Sequence, residues 1–171
     1  YKEVYIPMTY YSQGFGFYLG RIMGWNAYNM IALARLLNLL AYILLTYLEI
    51  RKMPFQKDLM VAIALIPISI FQGASLSADP VIHGFSFLFV ASVMALATSK
   101  KPINLLRLVL PFLLLWNIVF AKPAYIALVL LFFAIPLRNF PKALQGIIRI
   151  GLVVGGSAVA AGVLYGFVSG A

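Results

Sequence analysis

Long apolar runs separated by short loops constrain this chain more than any other feature. A helix of about 20 apolar residues crosses the hydrocarbon core of a bilayer. Because lipid offers no hydrogen bonds to the backbone, such segments cross it as helices. The sequence therefore predicts an all-α integral membrane bundle of about six transmembrane helices, some of them broken or recessed because their runs are short. The runs cover residues 27–49, 58–74, 80–98, 103–120, 123–137 and 145–169.

The few charged residues follow the same pattern. Only 10% of the chain is charged and 64% is hydrophobic, whereas about 25% of a soluble domain is charged. The net charge of +9 indicates cytoplasmic loops rather than a nucleic-acid partner, because basic residues collect on that side of a membrane. The turns with Asp79 and Lys122 are then expected outside. The basic loops hold Arg51, Lys52 and Lys57, then Lys100, Lys101 and Arg107, then Arg138, Lys142 and Arg149.

Aromatic residues and glycines dominate residues 1–26. Aromatic rings favour the lipid–water interface, and Pro7 can open a helix over residues 8–23. We expect an interfacial or re-entrant helix here, with a short tilted span as the alternative. Residues 27–171 form the bundle, and the whole chain 1–171 is expected to be one transmembrane domain. The chain starts at Tyr1 without a charged segment followed by a short apolar core, so we expect an upstream part with a first span.

Asp79 and His83 form the most unusual polar pair in the sequence. Asp79 is one of four acidic residues, and His83 is the single histidine. Asp79 followed by Pro80 predicts a helix N-cap, and residues 79, 83 and 86 then share one helix face. Charged groups near lipid are costly without a task, so we interpret the pair as a site of chemistry or ligand binding. The alternative is that Asp79 only caps and His83 bonds the backbone. Two ligands do not make a metal site, and none is predicted.

Arg35 lies inside the first apolar run. Tyr28, Arg35, Tyr42 and Glu49 recur every seven positions, and Asn38 is one turn from Arg35. Such a polar stripe is typical of a helix that faces a bundle interior or a wet cavity. The alternative is an arginine that extends along the helix to the membrane surface.

Lys122 and Pro123 form a tight turn at the same predicted face as Asp79. A cation at such a position can bind a phosphate group, or it can serve only as an interfacial anchor. Further polar side chains in the outer half of the bundle are candidates to line a cavity with Arg35 and Asp79. These are Asn38, Tyr42, Gln72, Ser77 and Asn117.

Three segments carry a resemblance to a known family: 35–40 (RLLNLL), 72–79 (QGASLSAD) and 121–125 (AKPAY). They resemble bacterial multi-spanning membrane proteins of unknown function that are associated with cell-surface polysaccharide synthesis. That family is similar to the GT-C superfamily of glycosyltransferases. The resemblance implies transfer of a sugar from a polyprenyl-phosphate carrier to a cell-surface glycan, outside the bacterial cell membrane.

The same resemblance assigns roles to the unusual residues. Arg35 and Lys122 are implied to bind the carrier phosphate, and Asp79 with His83 to support the reaction. The principal catalytic acid is expected in the upstream part, and no cofactor is implied. The partners are membrane lipid and the lipid-linked sugar. A transporter or flippase for a lipid-linked or anionic solute, and a non-catalytic membrane scaffold, are the alternatives.

Overall fold

Helices and the loops between them make up the described part of this computed structural model, which covers residues 7–104, 106–140, 145–146 and 151. No β-strand occurs in these residues, so the all-α prediction is confirmed for them. The α-helices are α1 (Tyr11–Ile22), α2 (Ala27–Lys52), α3 (Lys57–Ala64), α4 (Pro67–Gly73), α5 (Asp79–Ala97) and α6 (Leu106–Ala121). Three 3₁₀ helices cover Pro7–Tyr10, Pro123–Ala134 and Leu137–Asn139.

Two of the described helices, α2 and α5, are long and apolar enough to cross a membrane. They have 26 and 19 residues, which correspond to lengths of about 39 and 28 Å at 1.5 Å per residue. The helix α6 and the 3₁₀ helix Pro123–Ala134 are apolar but shorter. The sixth predicted run, residues 145–169, lies almost wholly outside the described residues, as do Lys142 and Arg149.

The second predicted run is broken into α3 and α4. The first of these ends at Ala64 and the second begins at Pro67, whose ring fits the first turn of a helix and whose nitrogen has no proton to donate. This is the broken helix expected from the shortness of the run. The segment returns along α2, where the Tyr42 hydroxyl donates to the Ala64 carbonyl oxygen at 3.1 Å.

Because α3 and α4 fill this return, α5 can run parallel to α2. The Asn38 side chain contacts the segment just before α5, and Leu45 contacts Gly84 within it. A Cβ atom at Gly84 would lie 2.7 Å from the Cβ atom of Leu45, so only glycine permits this approach. The helix α5 thus begins level with the middle of α2, and both helices end on the same side.

The N-terminal half of α2 packs against α1 instead. A Cβ atom at Gly16 would lie 2.6 Å from the Cα atom of Ala34, which places the two backbones in direct contact. Gly20 approaches Met30 in the same way. Since residue numbers rise along α1 as they fall along α2, the two helices are antiparallel. The predicted helix 8–23 is therefore a 3₁₀ turn followed by α1.

The main apolar core lies between α5, α6 and the 3₁₀ helix Pro123–Ala134. Phe89 and Ile118 are fully buried there. The rings of Phe89 and Phe132 meet edge to face with their centroids 5.5 Å apart. This core joins the second half of the described chain to α2 through α5.

A surface helix of a soluble protein places its apolar side chains inward, toward the core. In α2 this arrangement is inverted. Its buried residues are mostly polar, while aliphatic side chains cover its exposed side. An exposed apolar face of this kind requires lipid or another apolar partner. The buried polar residues are Asn38, Tyr42, Thr46 and Glu49, and the exposed aliphatic ones include Leu36, Leu40, Ile43, Leu44 and Leu48.

Candidate functional site

The Asp79 end of the bundle, where α5 begins and α6 ends, contains most of the predicted site. Its centre is the loop of residues 74–78, which lies against the middle of α2. The Asn38 amide nitrogen donates to the carbonyl oxygens of Ser75, at 2.7 Å, and Ser77, at 3.3 Å. The Asn38 carbonyl oxygen accepts from the Ser12 hydroxyl of α1. Asn38 is fully buried, and the hydrogen bonds of its amide join α2 to α1 and to the 74–78 loop.

The predicted capping role of Asp79 is wrong. The helix α5 begins at Asp79 itself, the N-cap position is Ala78, and no side chain caps the helix there. The Asp79 backbone N–H donates to the Ser77 hydroxyl at 3.3 Å, and that hydroxyl is 2.8 Å from the Ser75 hydroxyl. The Asp79 carboxylate pairs instead with a nearby cation.

That cation is Lys122. Its Nζ donates to Asp79 Oδ1 at 2.6 Å, and the two side chains are 46% and 28% exposed. The pair links the start of α5 to the turn after α6. Because both groups are partly solvated, it contributes less than about 1 kcal/mol to stability. The structure therefore brings a predicted catalytic residue and a predicted phosphate-binding residue into direct contact.

His83 lies one turn after Asp79 on α5 and is half-buried. Ser86, on the same predicted face, donates its hydroxyl to the Ile82 carbonyl of its own helix at 2.8 Å. Within residues 7–104 and 106–140, no three side chains of the His, Cys, Asp and Glu types are grouped to hold a metal ion.

Arg35 lies on the exposed side of α2 beside the same loop. Its Nε donates to the Ala74 carbonyl oxygen at 2.8 Å. No carboxylate pairs with it in the described residues, and its terminal Nη atoms have no described partner. The guanidinium group is therefore oriented through one nitrogen while two others remain available.

The predicted stripe on α2 divides in two. Tyr28 and Arg35 are exposed, whereas Tyr42 and Glu49 are buried. The physical reason is that α5 begins level with Asn38, so the earlier residues of α2 face α1 instead, which covers Met30 and Ala34 and leaves Tyr28 and Arg35 exposed. The sequence pattern could not show where that partner helix starts.

The remaining predicted lining residues do not gather around one cavity. Tyr42 borders a cavity of about 340 Å³ between α2 and the α3–α4 segment, which is otherwise lined mainly by aliphatic side chains. Gln72, on α4, has a buried Oε1 atom with no partner among the described residues. The Asn117 amide donates to the Leu113 carbonyl of its own helix at 2.8 Å, away from the loop.

The basic end of the bundle, opposite the Asp79 end, contains a cavity that the sequence did not predict. The basic residues of this end lie at the end of α2, at the start of α3, in the loop between α5 and α6, and at the start of α6. Lys52 of α2 and Arg107 of α6 border a cavity of about 400 Å³ whose wall also includes Ser92 of α5. These residues lie up to 55 positions apart in the chain, so only the fold reveals their proximity.

Comparison with known protein families identifies the family of this chain. The chain matches the family described as "Predicted membrane protein (DUF2142)" over residues 1–168. The chain belongs to this family. Its description gives the membrane location, which agrees with the inverted polarity of α2, and it gives no activity. Neither the curated proteins nor the solved structures include a significant match.

Proposed function

We propose that this chain is part of a GT-C-like glycosyltransferase that moves a sugar from a polyprenyl-phosphate carrier to a cell-surface glycan. One observation carries the proposal. Arg35 is held at Ala74 by its Nε, beside the loop that leads into Asp79, while its terminal nitrogens remain available. A phosphate-binding candidate and a carboxylate are thereby grouped at the same end of an apolar bundle.

The chemistry needs such a cation. When a glycosidic bond to a carrier phosphate breaks, negative charge grows on the departing phosphate oxygen. A fixed guanidinium group stabilises that charge more than bulk water does, because it is already oriented and the surroundings are weakly polar. Arginine also suits phosphate geometry, since two of its nitrogens can bind two oxygens at once.

Lys122 supplies the second positive charge at this end, and its contact with Asp79 fixes where that charge lies. A phosphate that binds here competes with the Asp79 carboxylate for the ammonium group. Asp79 is then released to accept a hydrogen bond from a sugar or acceptor hydroxyl, and His83 lies one turn further along α5. In this proposal the Asp79 end faces the outside of a bacterial cell membrane and the basic end faces the cytoplasm.

The test uses the full-length protein in phospholipid vesicles with a polyprenyl-phosphate-linked sugar and a glycan acceptor, and it measures sugar transfer. Arg35→Ala should lower the turnover number on the order of 100-fold, the usual cost of removing one oriented donor from a developing oxyanion. Arg35→Lys should recover part of the loss, because the charge remains but the paired geometry does not.

Arg21→Ala is the matched control. Arg21 is an exposed arginine on α1 for which the proposal has no role, and its removal changes the net charge equally. Transfer equal to wild type in both Arg35→Ala and Arg21→Ala would reject the proposal, provided that the unfolding temperatures of all variants agree.

A transporter or flippase is the second candidate, and the broken α3–α4 segment favours it. Interrupted helices inside membranes frequently mark the substrate path of transporters. The same vesicles distinguish the two functions. Movement of the lipid-linked sugar between leaflets without transfer to the acceptor would support transport, and transfer without such movement would support the enzyme.

A further inference from the structure

We infer that the cavity at the basic end is a binding site for the phosphate group of an anionic lipid. Lys52 and Arg107 belong to helices α2 and α6, and both border the same cavity of about 400 Å³. A phosphate group with its glycerol fits within this volume. The site is separate from the proposed sugar-transfer site, because Arg35, Asp79 and Lys122 all lie toward the other end.

The charges around the cavity favour an anion. Among the described residues, no acidic side chain lines it. Asp79 pairs with Lys122 at the opposite end, and within the described residues that is the one ion pair closer than 4.0 Å. Two cations on one cavity wall repel each other, and the repulsion is stronger beside lipid than in water because the local dielectric constant is lower. A phosphate between them converts this repulsion into attraction.

Glu49 is the acidic residue nearest to Lys52 in sequence, three positions before it on α2. It is 2% exposed, does not line the cavity and has no ion-pair partner within the described chain. Its carboxylate therefore does not occupy the position that an anion would take between Lys52 and Arg107.

The helix dipoles do not determine the sign of the electrostatic potential in the cavity. Helix α6 begins at the cavity and contributes about half a positive charge, whereas α2 and α5 end near it and contribute about half a negative charge each. Their sum is about minus one half, against two full positive charges on Lys52 and Arg107. The side chains therefore dominate, and among the other charged residues of this end Lys57 and Lys101 outnumber the single carboxylate of Asp58.

Location selects a lipid as the source of the phosphate. The cavity lies at the end of α2, whose exposed face is aliphatic and requires lipid. Leu106 and Leu110 of α6 form part of its wall and can contact the first carbons of an acyl chain. A lipid headgroup thus meets both the cations and the apolar wall, which a free phosphate ion cannot do.

The test measures lipid retention. Full-length protein is reconstituted in phosphatidylcholine vesicles with a minor fraction of phosphatidylglycerol, moved to neutral detergent, and weighed with its bound lipid by native mass spectrometry. Wild type should retain one phosphatidylglycerol. Lys52→Met with Arg107→Met should weaken retention about 25-fold, from about fivefold per cation near a membrane surface.

Lys57→Met with Lys101→Met is the matched control, since both lysines are exposed at the same end and neither lines the cavity. This variant removes the same charge and should retain the lipid. Equal loss in both double variants would overturn the site in favour of general surface attraction.

A second arm uses inorganic phosphate and protein in phosphatidylcholine alone. Binding there that depends on Lys52 and Arg107, without enrichment of phosphatidylglycerol in the first arm, would overturn the lipid assignment. Failure of sugar transfer in the earlier assay leaves this result unchanged, because the two experiments probe opposite ends with different variants.

Discussion

At the Asp79 end of the bundle most of the polar side chains have partners, whereas at the basic end two cations border a cavity whose described wall contains no acidic residue. Asn38 joins α1, α2 and the 74–78 loop, and Lys122 binds Asp79. Lys52 and Arg107 have no such arrangement in the described chain. The difference shows that conspicuous polar residues in a membrane sequence can serve packing as well as chemistry, while inconspicuous cations at helix ends can border a shared cavity.

The strongest test of the Asp79 end is to separate α1 from α2. Gly16→Leu should lower the free energy of unfolding by about 3 kcal/mol, because its Cβ atom would enter the Ala34 backbone and force the helices apart. Unfolding in detergent, followed by circular dichroism, measures this. Gly14→Leu is the control, since nothing lies within 4 Å of a Cβ atom there, and equal losses would contradict the close contact.

A smaller loss is expected from the amide at the centre of that end. Asn38→Ala should cost about 2 kcal/mol, because the Ser75 and Ser77 carbonyls and the Ser12 hydroxyl lose their shared partner. The same unfolding measurement applies. Asn117→Ala removes an amide that bonds only within α6 and should change stability by about 0.5 kcal/mol or less. Equal losses of stability in the two variants would contradict the view that Asn38 joins separate segments while Asn117 bonds only within its own helix.

The ion pair between Asp79 and Lys122 should contribute less to stability than the Asn38 amide does. A double-mutant cycle with Asp79→Asn and Lys122→Met should give a coupling free energy of about 0.5 kcal/mol, because both side chains are partly solvated. Unfolding at low and high salt measures it, and the coupling should shrink in high salt as the charges are screened. A coupling that is large and independent of salt would show that the pair is enclosed.

The smallest effect belongs to the basic end. In phosphatidylcholine, Lys52→Met with Arg107→Met should leave the free energy of unfolding unchanged or raise it by up to about 0.5 kcal/mol, since it removes two like charges that have no acidic partner. Lys57→Met with Lys101→Met provides the comparison at equal net charge. A clear loss specific to the first variant would mean that Lys52 and Arg107 have a structural role in the bundle itself.

The helical class and the membrane location follow from the apolar runs, because run length and hydropathy are local properties of the chain. The break between α3 and α4 also follows from a run too short to cross and from Pro67 within it. The inward stripe on α2 was predicted correctly only from Asn38 onward. Its other half depends on where α5 begins, which local pattern does not encode.

Site geometry was less accessible from sequence. Asp79 and Lys122 are 43 positions apart, and their pairing depends on α5 and α6 running antiparallel. The predicted cap failed because this tertiary partner outcompeted a local hydrogen bond. The cations of the basic end looked like a topology signal, and only the fold places two of them on one cavity.

The inverted face of α2 has a consequence for how the protein is made. Ribosomes synthesise α2 before α3, α4 and α5, so this helix is made before the partners of Asn38 and Tyr42 exist. Its aliphatic side can contact lipid at once, whereas its polar side chains gain hydrogen-bond partners only when later segments are made. Because α5 runs parallel to α2, the chain must first return along α2 through the short helices α3 and α4 before the segment that bonds Asn38 is made. Release of a nascent chain truncated before residue 57, which lacks Ala64, Ser75 and Ser77, should therefore yield an α2 exposed to degradation by membrane proteases.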